Sequence, residues 1–191
     1  ARTPETGAVT HPKFLNAVLR YLRENFENLR IYVVESDSHT VLADLFIKWL
    51  GFLPILEQWD AKWVNLSKEA VVNKRINGRY MKEVPVPAIF LDAFFISIPK
   101  LKSQILTGIT CCLKNQFGCL PMVRKNRFHS HIDDVIADVN LAIRPDFCIV
   151  DGIISMGGEL GPGLGIPIPL KAIICGKDPV AIDAYCAKIM G

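Results

Sequence analysis

The sequence predicts an α/β fold, with a mostly parallel or mixed sheet flanked by helices and a small hairpin insertion. Short β-rich runs alternate along the chain with segments whose apolar residues repeat at helical spacing. Two of these runs, 88–98 and 147–150, are almost wholly apolar, as strands buried on both faces are. Because this alternation is typical of sheets covered by helices, we expect one domain over residues 1–191.

The first third of the chain predicts the order helix, strand, helix. Residues 12–29 contain a helical stripe of apolar side chains. Ile31–Glu35 is β-rich, and the serine- and aspartate-containing residues 36–38 follow it as turn and capping material. Helical spacing resumes over residues 41–49, and Gly51 is placed to end that helix.

The middle of the chain predicts a hairpin followed by a buried strand. Residues 63–66 have strand character, and residues 71–86 predict a hairpin that turns at Asn77-Gly78. The apolar run 88–98 is the expected buried strand. Residues 103–120 are a candidate helix that ends near Gly118.

The last third predicts two helices and two strands. A helix is expected from Ile132 to about Ile143, with a buried stripe at every third or fourth residue. The strand 147–150 is expected to end at Asp151-Gly152, and residues 172–175 form a last strand. Asp178 is placed to cap a final helix that has Pro179 at its first position.

Composition excludes several classes of protein. Half of the chain is hydrophobic, 21% is charged and the mean hydropathy is +0.27, which excludes a disordered tail or a coiled coil. No apolar run is long enough to span a membrane and no signal peptide is visible, which predicts a cytoplasmic protein. The six cysteines form no CxxC pair, so the chain has no iron–sulfur cysteine motif and its cofactor is unknown. Cys148 and Cys175 lie in apolar runs and are expected to be reduced core residues.

Polar residues follow three of the predicted strands, where ligands bind in open α/β sheets. Lys100 and Lys102 follow the first of these strands, Asp151 the second and Lys177-Asp178 the third. Asp183 lies one turn into the last helix. These residues predict a crevice site, with Asp151 as an acid–base candidate. Polar loops end the strands of any α/β domain, so a purely structural role is the alternative.

The charge distribution favours an anionic small molecule as the partner. Residues 93–132 contain no Asp or Glu, but they include Lys100, Lys102, Lys114, two arginines and two histidines. A stretch that carries only positive charges can attract an anion. The alternative interpretation is a basic loop that is simply solvated. Nucleic acid is disfavoured as a partner because few aromatic residues lie among the basic ones.

Two further segments contain candidate site residues. His129 and His131, followed by two aspartates, are candidate ligands of a divalent metal, and His129 is also an acid–base candidate. The glycine-rich residues 156–169 predict a loop whose backbone N–H groups approach a ligand, with a plain connecting loop as the alternative. The candidate residues of this loop are the glycines Gly158, Gly161 and Gly163 and the acid–base candidate Glu159.

Several spaced motifs resemble a known family. The segments PKLKSQ, TGITCCLKNQFGCLP, IVDGIISMGGELGPG and ICGKDPVAIDAYCAKIMG occur in this order from residue 99 onward. Together they resemble the family known as domain of unknown function 362. The family's Lys-Asn pair corresponds to Lys114-Asn115, and its downstream histidine corresponds to His129 or His131. This chain has Ser103-Gln104 where the family commonly has Thr-His.

The resemblance implies a domain without an assigned activity. Some family members have attached ferredoxin-type modules with four cysteines, so an iron–sulfur or redox partner is one implied role. Family members usually extend beyond the last glycine of this chain, which implies a domain truncated at its C-terminal end. Three hypotheses follow: an anion-binding and possibly enzymatic α/β domain, an interaction module for a redox partner, and a divalent-metal enzyme that uses His129, His131 and an aspartate.

Overall fold

The structure, a computed structural model, describes residues 3–158 and 165–191. In that part of the chain the helices are α1 (Pro12–Asn25), α2 (Ala43–Trp49), α3 (Leu53–Gln58), α4 (Cys112–Phe117), α5 (Ile132–Ala142) and α6 (Pro179–Met190). The strands are β1 (Ile31–Glu35), β2 (Ala61–Asn65), β3 (Val71–Arg75), β4 (Glu83–Pro87), β5 (Ile96–Ser97), β6 (Lys100–Gln104), β7 (Gly108–Thr110), β8 (Phe147–Gly157), β9 (Ile166–Ile168) and β10 (Ala172–Gly176).

The strands form three sheets. The largest has the order β10-β8-β6-β7, with β5 and β9 also paired to β8. Strand β8 runs parallel to β5 and β6 and antiparallel to β9 and β10, so this sheet is mixed. Strands β1 and β2 are a parallel pair, and β3 and β4 are the predicted small hairpin. The predicted mixed α/β fold class with a hairpin insertion is therefore confirmed.

Three apolar clusters hold these layers together. One joins α1, α2 and α3 to the β1–β2 pair and includes Leu15, Leu19 and Leu56. A second lies between α5 and the hairpin, where the predicted α5 stripe of Ile132, Val135, Ile136 and Val139 is buried. The third lies between β8, α4 and α6 and contains four cysteines. In α1 and α5 the apolar face is the one buried. In α2 it is not, because Leu45 and Trp49, which belong to the predicted apolar spacing, are exposed.

Local signals predicted several element ends correctly. The Asp178 carboxylate accepts hydrogen bonds from the N–H groups of Val180 and Ala181, so Asp178 caps α6 as predicted. Gly51, with φ of 75°, follows α2 and adopts the left-handed conformation expected after a helix. The prediction for Cys175 as a core residue is wrong, because this cysteine is exposed on β10.

The expected buried strand over residues 88–98 is wrong. Residues Ala88–Phe90 form a 3-10 turn, Phe94 is exposed, and only Ile96–Ser97 pair with β8. The physical cause lies in the flanking residues: Pro87 fixes the backbone just before the run, and Asp92 favours a turn within it. The apolar side chains pack the loop against the α5 cluster instead of lining a strand.

Two other boundaries also differ from the sequence prediction. The candidate helix over 103–120 is helical only at Cys112–Phe117, because Gly108, with φ of 70°, allows β6 to turn back into β7. Strand β8 does not end at Asp151-Gly152 but continues to Gly157. Its extension pairs with β9, a partner that lies beyond the glycine-rich loop and that local sequence does not reveal.

The hairpin loop is longer than the two-residue turn that Asn77-Gly78 predicts. Strands β3 and β4 close with Arg75 opposite Glu83, so seven residues connect them. The buried carboxylate of Asp138, on α5, accepts hydrogen bonds from the N–H groups of Arg79, Tyr80 and Met81. Burial raises the pKa of this carboxyl, but the three N–H donors outweigh it and the pKa is lowered.

Candidate functional site

Charged side chains lie near one another where β1 ends. Glu35, the last residue of β1, is exposed, yet surrounding protein desolvates its carboxyl and raises its pKa. The N–H of Ser36 and the charges of Lys125 and Lys102 act in the opposite direction. The Glu35 Oε1 atom lies 3.5 Å from the point where a Cβ on Gly118 would be, so the carboxylate borders the end of α4. Glu35 is thus accessible to water beside the end of α4.

The charge of Lys102 acts on this carboxylate and also on Lys114. Lys102, on β6, donates a hydrogen bond of 2.7 Å to the carbonyl of Ala8. Lys114, on α4, donates one of 3.1 Å to the hydroxyl of Thr107. Desolvation and the charge of Lys102 lower the pKa of Lys114 to about 8, although Asp133 acts to raise it. Among residues 3–158 and 165–191, no carboxylate lies within 4 Å of the Lys114 ammonium.

A network of buried polar groups fixes the segment that follows β1. The buried ammonium of Lys125 donates hydrogen bonds to the Ser36 hydroxyl and to the carbonyls of Asp37 and Leu120. Asp37 Oδ1 accepts hydrogen bonds from the Ala43 N–H and from the Asn65 side chain at the end of β2. The sequence predicted residues 36–38 as turn and capping material, and Asp37 does accept from the first N–H group of α2. The signal that was missed is Glu35, the acidic residue at the end of the β-rich run directly before them.

Lys100 and Asp151 form a closed ion pair. The Lys100 ammonium lies 2.9 Å from Asp151 Oδ2, and the two side chains are 5% and 0% exposed. The N–H groups of His11 and Ile153 also donate to the Asp151 carboxylate. The expectation that these residues follow strand ends is wrong, because Lys100 begins β6 and Asp151 lies inside β8. The acid–base role of Asp151 stays a prediction, and its contacts are those of a structural pair.

Three further predicted ligand-binding residues make contacts within the fold. The Asp183 carboxylate accepts hydrogen bonds from the N–H groups of Cys112 and Leu113, which joins α6 to the start of α4. Asn115 donates to the hydroxyl of Ser97, and Asp178 caps α6. Their ligand-binding roles stay predictions.

The glycine-rich loop is described only at its edges. Gly158 has φ of 104°, and its carbonyl accepts a hydrogen bond of 2.8 Å from the Ser103 hydroxyl on β6. The predicted residues Glu159, Gly161 and Gly163 lie outside the described residues.

The two histidines lie on the surface beside an open depression of ≈ 310 Å³. The ring of His131 stacks on Tyr80 with centroids 4.6 Å apart, and His129 lines the same depression. In the described part of the chain, neither histidine belongs to a group of three close metal-ligating side chains. Such a group is formed instead by Cys111, Cys112 and Asp183. A metal or acid–base role for His129 and His131 stays a prediction.

The acid-free stretch 93–132 is not one continuous basic surface. Lys100 forms an ion pair with Asp151, and the ammonium of Lys125 donates its hydrogen bonds within the protein. The guanidinium of Arg127 lies 4.7 Å from the centre of the Phe128 ring. Anion focusing by this stretch stays a prediction, and within it the charge of Lys102 acts on Lys114. That pair was part of the predicted site, and Glu35 was not.

Comparison with known proteins places this chain in a family. Residues 1–188 match the family described as Domain of unknown function (DUF362). The chain belongs to the DUF362 family. The resemblance seen in the motifs is thereby confirmed, and the family description assigns no activity to its members.

One curated relative of this DUF362 chain is the thylakoid-associated protein sll1697 of Synechocystis. The two are 30% identical over 151 residues, which cover 73% of this chain and 45% of the relative. The chain thus spans less than half the length of that relative. No solved structure gives a significant match to the chain. The predicted cytoplasmic location, the single truncated domain and the redox partner stay predictions for this DUF362 domain.

No helix in the described parts of this DUF362 chain combines the length and apolar character that crossing a membrane requires.

Proposed function

We propose that this DUF362 domain binds a small anion bearing phosphate or carboxylate groups at a site formed by Glu35, Lys102 and Lys114. The observation that supports this most is the state of Lys114. Its pKa is lowered to about 8, and its one described hydrogen bond leads to a neutral hydroxyl. A bound anion would supply the negative charge that this ammonium lacks.

The arrangement of the backbone also favours a ligand at this place. Glu35 ends a parallel strand, and ligands in open α/β folds bind beyond the carboxyl ends of such strands. Lys102 lies on the neighbouring larger sheet, and its charge acts on both Glu35 and Lys114. Lys102 therefore couples Glu35 and Lys114 electrostatically, although the three residues come from β6, β1 and α4.

Glu35 gives this site a candidate proton donor. Desolvation raises the pKa of its carboxyl, so a larger fraction is protonated near neutral pH than for an ordinary glutamate. A protonated carboxyl beside a bound anion donates a hydrogen bond instead of repelling it. We add Glu35 to the predicted acid–base candidates His129, Asp151 and Glu159, because its carboxyl is exposed and the charge of Lys102 acts on it.

Anion binding is tested by calorimetric titration with inorganic phosphate, pyrophosphate and citrate separately, at pH 7 and pH 9.5. We expect at least one of these anions to bind at pH 7 and to bind more weakly at pH 9.5, because Lys114 loses its proton across this range. The Lys114→Gln variant should bind about 10- to 100-fold more weakly, since one charge-assisted hydrogen bond contributes about 1.5–3 kcal/mol.

The matched control is Lys188→Gln, which removes an exposed lysine from α6 and leaves the net charge equal to that of the first variant. It should bind the same anion as the wild type does. Glu35→Gln should bind the anion at least as tightly as the wild type, because it removes a negative charge. Absence of binding by all three anions, or equal weakening in the Lys114 and Lys188 variants, would contradict the proposal.

A further inference from the structure

Four of the six cysteines converge in the interior of the domain. Cys111 and Cys112 precede and begin α4, Cys148 lies on β8, and Cys186 lies on α6. All four side chains are 0% exposed and belong to the same apolar cluster. The Cys111 thiol adjoins those of Cys112 and Cys186, and the Cys112 thiol adjoins that of Cys148. We call these four residues the thiol cluster.

The carboxylate of Asp183 borders the thiol cluster. One oxygen of Asp183 and the sulfurs of Cys111 and Cys112 lie within 4.8 Å of one another. Asp183 and Cys186 are three residues apart on α6, so both project from the same side of that helix. The N–H groups of Cys112 and Leu113 hold the carboxylate in place at 2.7 and 3.0 Å. Each carboxylate oxygen retains a further lone pair for another partner.

The spacing of these atoms fits a tetrahedral metal site. The sulfurs of Cys111 and Cys112 are 3.9 Å apart, well beyond the length of a disulfide bond of about 2.05 Å. In a tetrahedral zinc site with Zn–S bonds of about 2.3 Å, two sulfurs lie about 3.8 Å apart. A carboxylate oxygen at about 2.1 Å from zinc would lie about 3.6 Å from each sulfur. The atoms of Cys111, Cys112 and Asp183 are therefore close to this spacing. Cys186 adjoins Cys111 but lies outside the group of three, so its thiol must move closer when an ion binds.

We propose that Cys111, Cys112, Asp183 and Cys186 bind one divalent zinc-type ion, with Cys148 packed behind Cys112. Zinc binds cysteine thiolates and carboxylate oxygens, and four tetrahedral ligands are the rule in structural zinc sites. On binding, the three thiols release three protons to solvent, and each sulfur forms a bond to the ion. The ionised carboxylate releases none. The two backbone N–H groups at Asp183 partly offset the negative charge of the loaded site, as outer-shell donors do in other metal centres.

The state of the thiols without metal agrees with this proposal. The Cys112 thiol and burial raise the pKa of Cys111, and the Cys111 thiol and burial raise that of Cys186. Without an ion these groups are therefore neutral thiols, which a dry core tolerates. Asp183 is only half-buried, so its carboxylate offers an ion a route from the surface.

The test uses the chain purified under reducing conditions, stripped with chelator and titrated with Co²⁺ alone. We expect one equivalent of Co²⁺ to bind and to give the absorption of thiolate-to-cobalt charge transfer with the intense visible bands of a tetrahedral ion. One equivalent of Zn²⁺ should then remove these bands. Binding should release about three protons per ion into a weak buffer, since three thiols must ionise.

Variants locate the site. Cys186→Ser and Asp183→Asn should each weaken Co²⁺ binding by more than about 100-fold, exceeding the usual effect of an outer-shell change. Cys119→Ser is the matched control, because Cys119 is also buried but lies in a different apolar cluster, and its Co²⁺ binding should be unchanged. Circular dichroism verifies that each variant is folded.

A measurement on the unaltered chain complements the variants, in case they fold poorly. Zn²⁺ should protect Cys111, Cys112 and Cys186 from alkylation by iodoacetamide in brief partial denaturation, while exposed Cys175 reacts equally with and without Zn²⁺. Any of three results would overturn the proposal: no charge-transfer band in the folded wild type, retention of that band in folded Cys186→Ser, or equal alkylation of the thiol cluster with and without Zn²⁺.

Discussion

Replacing Lys100 by methionine should destabilise the domain strongly. The substitution keeps the length and apolar stem of the side chain but leaves the Asp151 carboxylate, which is fully buried, with only the N–H groups of His11 and Ile153. Removal of one partner from a buried ion pair costs about 3–5 kcal/mol. Because the N–H groups of His11 and Ile153 still stabilise the carboxylate, we expect a loss at the lower end of this range, about 3 kcal/mol. For a domain of this size that corresponds to a fall in melting temperature of about 6–12 °C.

Urea unfolding followed by circular dichroism measures this loss, in a double-mutant cycle with Asp151→Leu. Because the doubly substituted chain contains no unpaired buried charge, we expect it to be more stable than the Lys100→Met chain. A loss below about 0.5 kcal/mol in Lys100→Met would contradict a strong buried ion pair, since that is the size of an ordinary surface substitution. Simple additivity of the two single changes would refute it equally.

Three further predictions concern residues whose surroundings the structure defines. Lys114→Met should stabilise the chain by about 1 kcal/mol at pH 7, a figure reduced for partial exposure. Below about pH 8 Lys114 is charged in both the folded and the unfolded wild type, and its poor solvation destabilises the folded chain. Between about pH 8 and 10.5 only the unfolded chain keeps this proton, so the wild type becomes more stable as the pH rises. Urea unfolding should therefore show the stability gain of Lys114→Met declining over that range. Asp138→Asn should cost about 2–3 kcal/mol, because three N–H groups lose a charged acceptor, and should speed amide exchange at residues 79–81. Gly7→Ala should lower the melting temperature, because the residue has φ of 73° and its Cβ would lie 2.4 Å from the Ser155 carbonyl oxygen; an unchanged melting temperature would contradict that packing.

The parts of the fold that were predicted correctly are those determined by local sequence. The stripe of α5, the β-rich run of β1 and the cap at Asp178 each depend on residues within one or two turns of each other. The run 88–98 failed because apolar composition alone does not separate a buried strand from a packed loop. Strand β8 was predicted too short because its second half pairs with β9, across the glycine-rich loop.

The site was predictable only in part, for the same reason. Lys102 and Lys114 were found from the absence of acids in residues 93–132, which is visible in the sequence. Glu35 was missed because its neighbours in the proposed site come from β6 and α4, more than sixty residues later in the chain. The thiol cluster was missed because its members follow no metal-binding spacing and meet only when α4 and α6 pack on β8.

Lys100 and Lys114 lie in the same stretch of the sequence, but the fold gives their ammonium groups different partners. Both lysines belong to the same acid-free segment, and desolvation lowers the pKa of both. Lys100 faces β8, where Asp151 supplies a carboxylate at 2.9 Å, so its charge is neutralised within the protein. Lys114 donates its described hydrogen bond to a hydroxyl, and the largest charge effect on its pKa comes from Lys102, with Asp133 acting in the opposite direction. A segment without acids in sequence is therefore not without acids in space. The proposed anion site uses the lysine that has no carboxylate within 4 Å in its described surroundings.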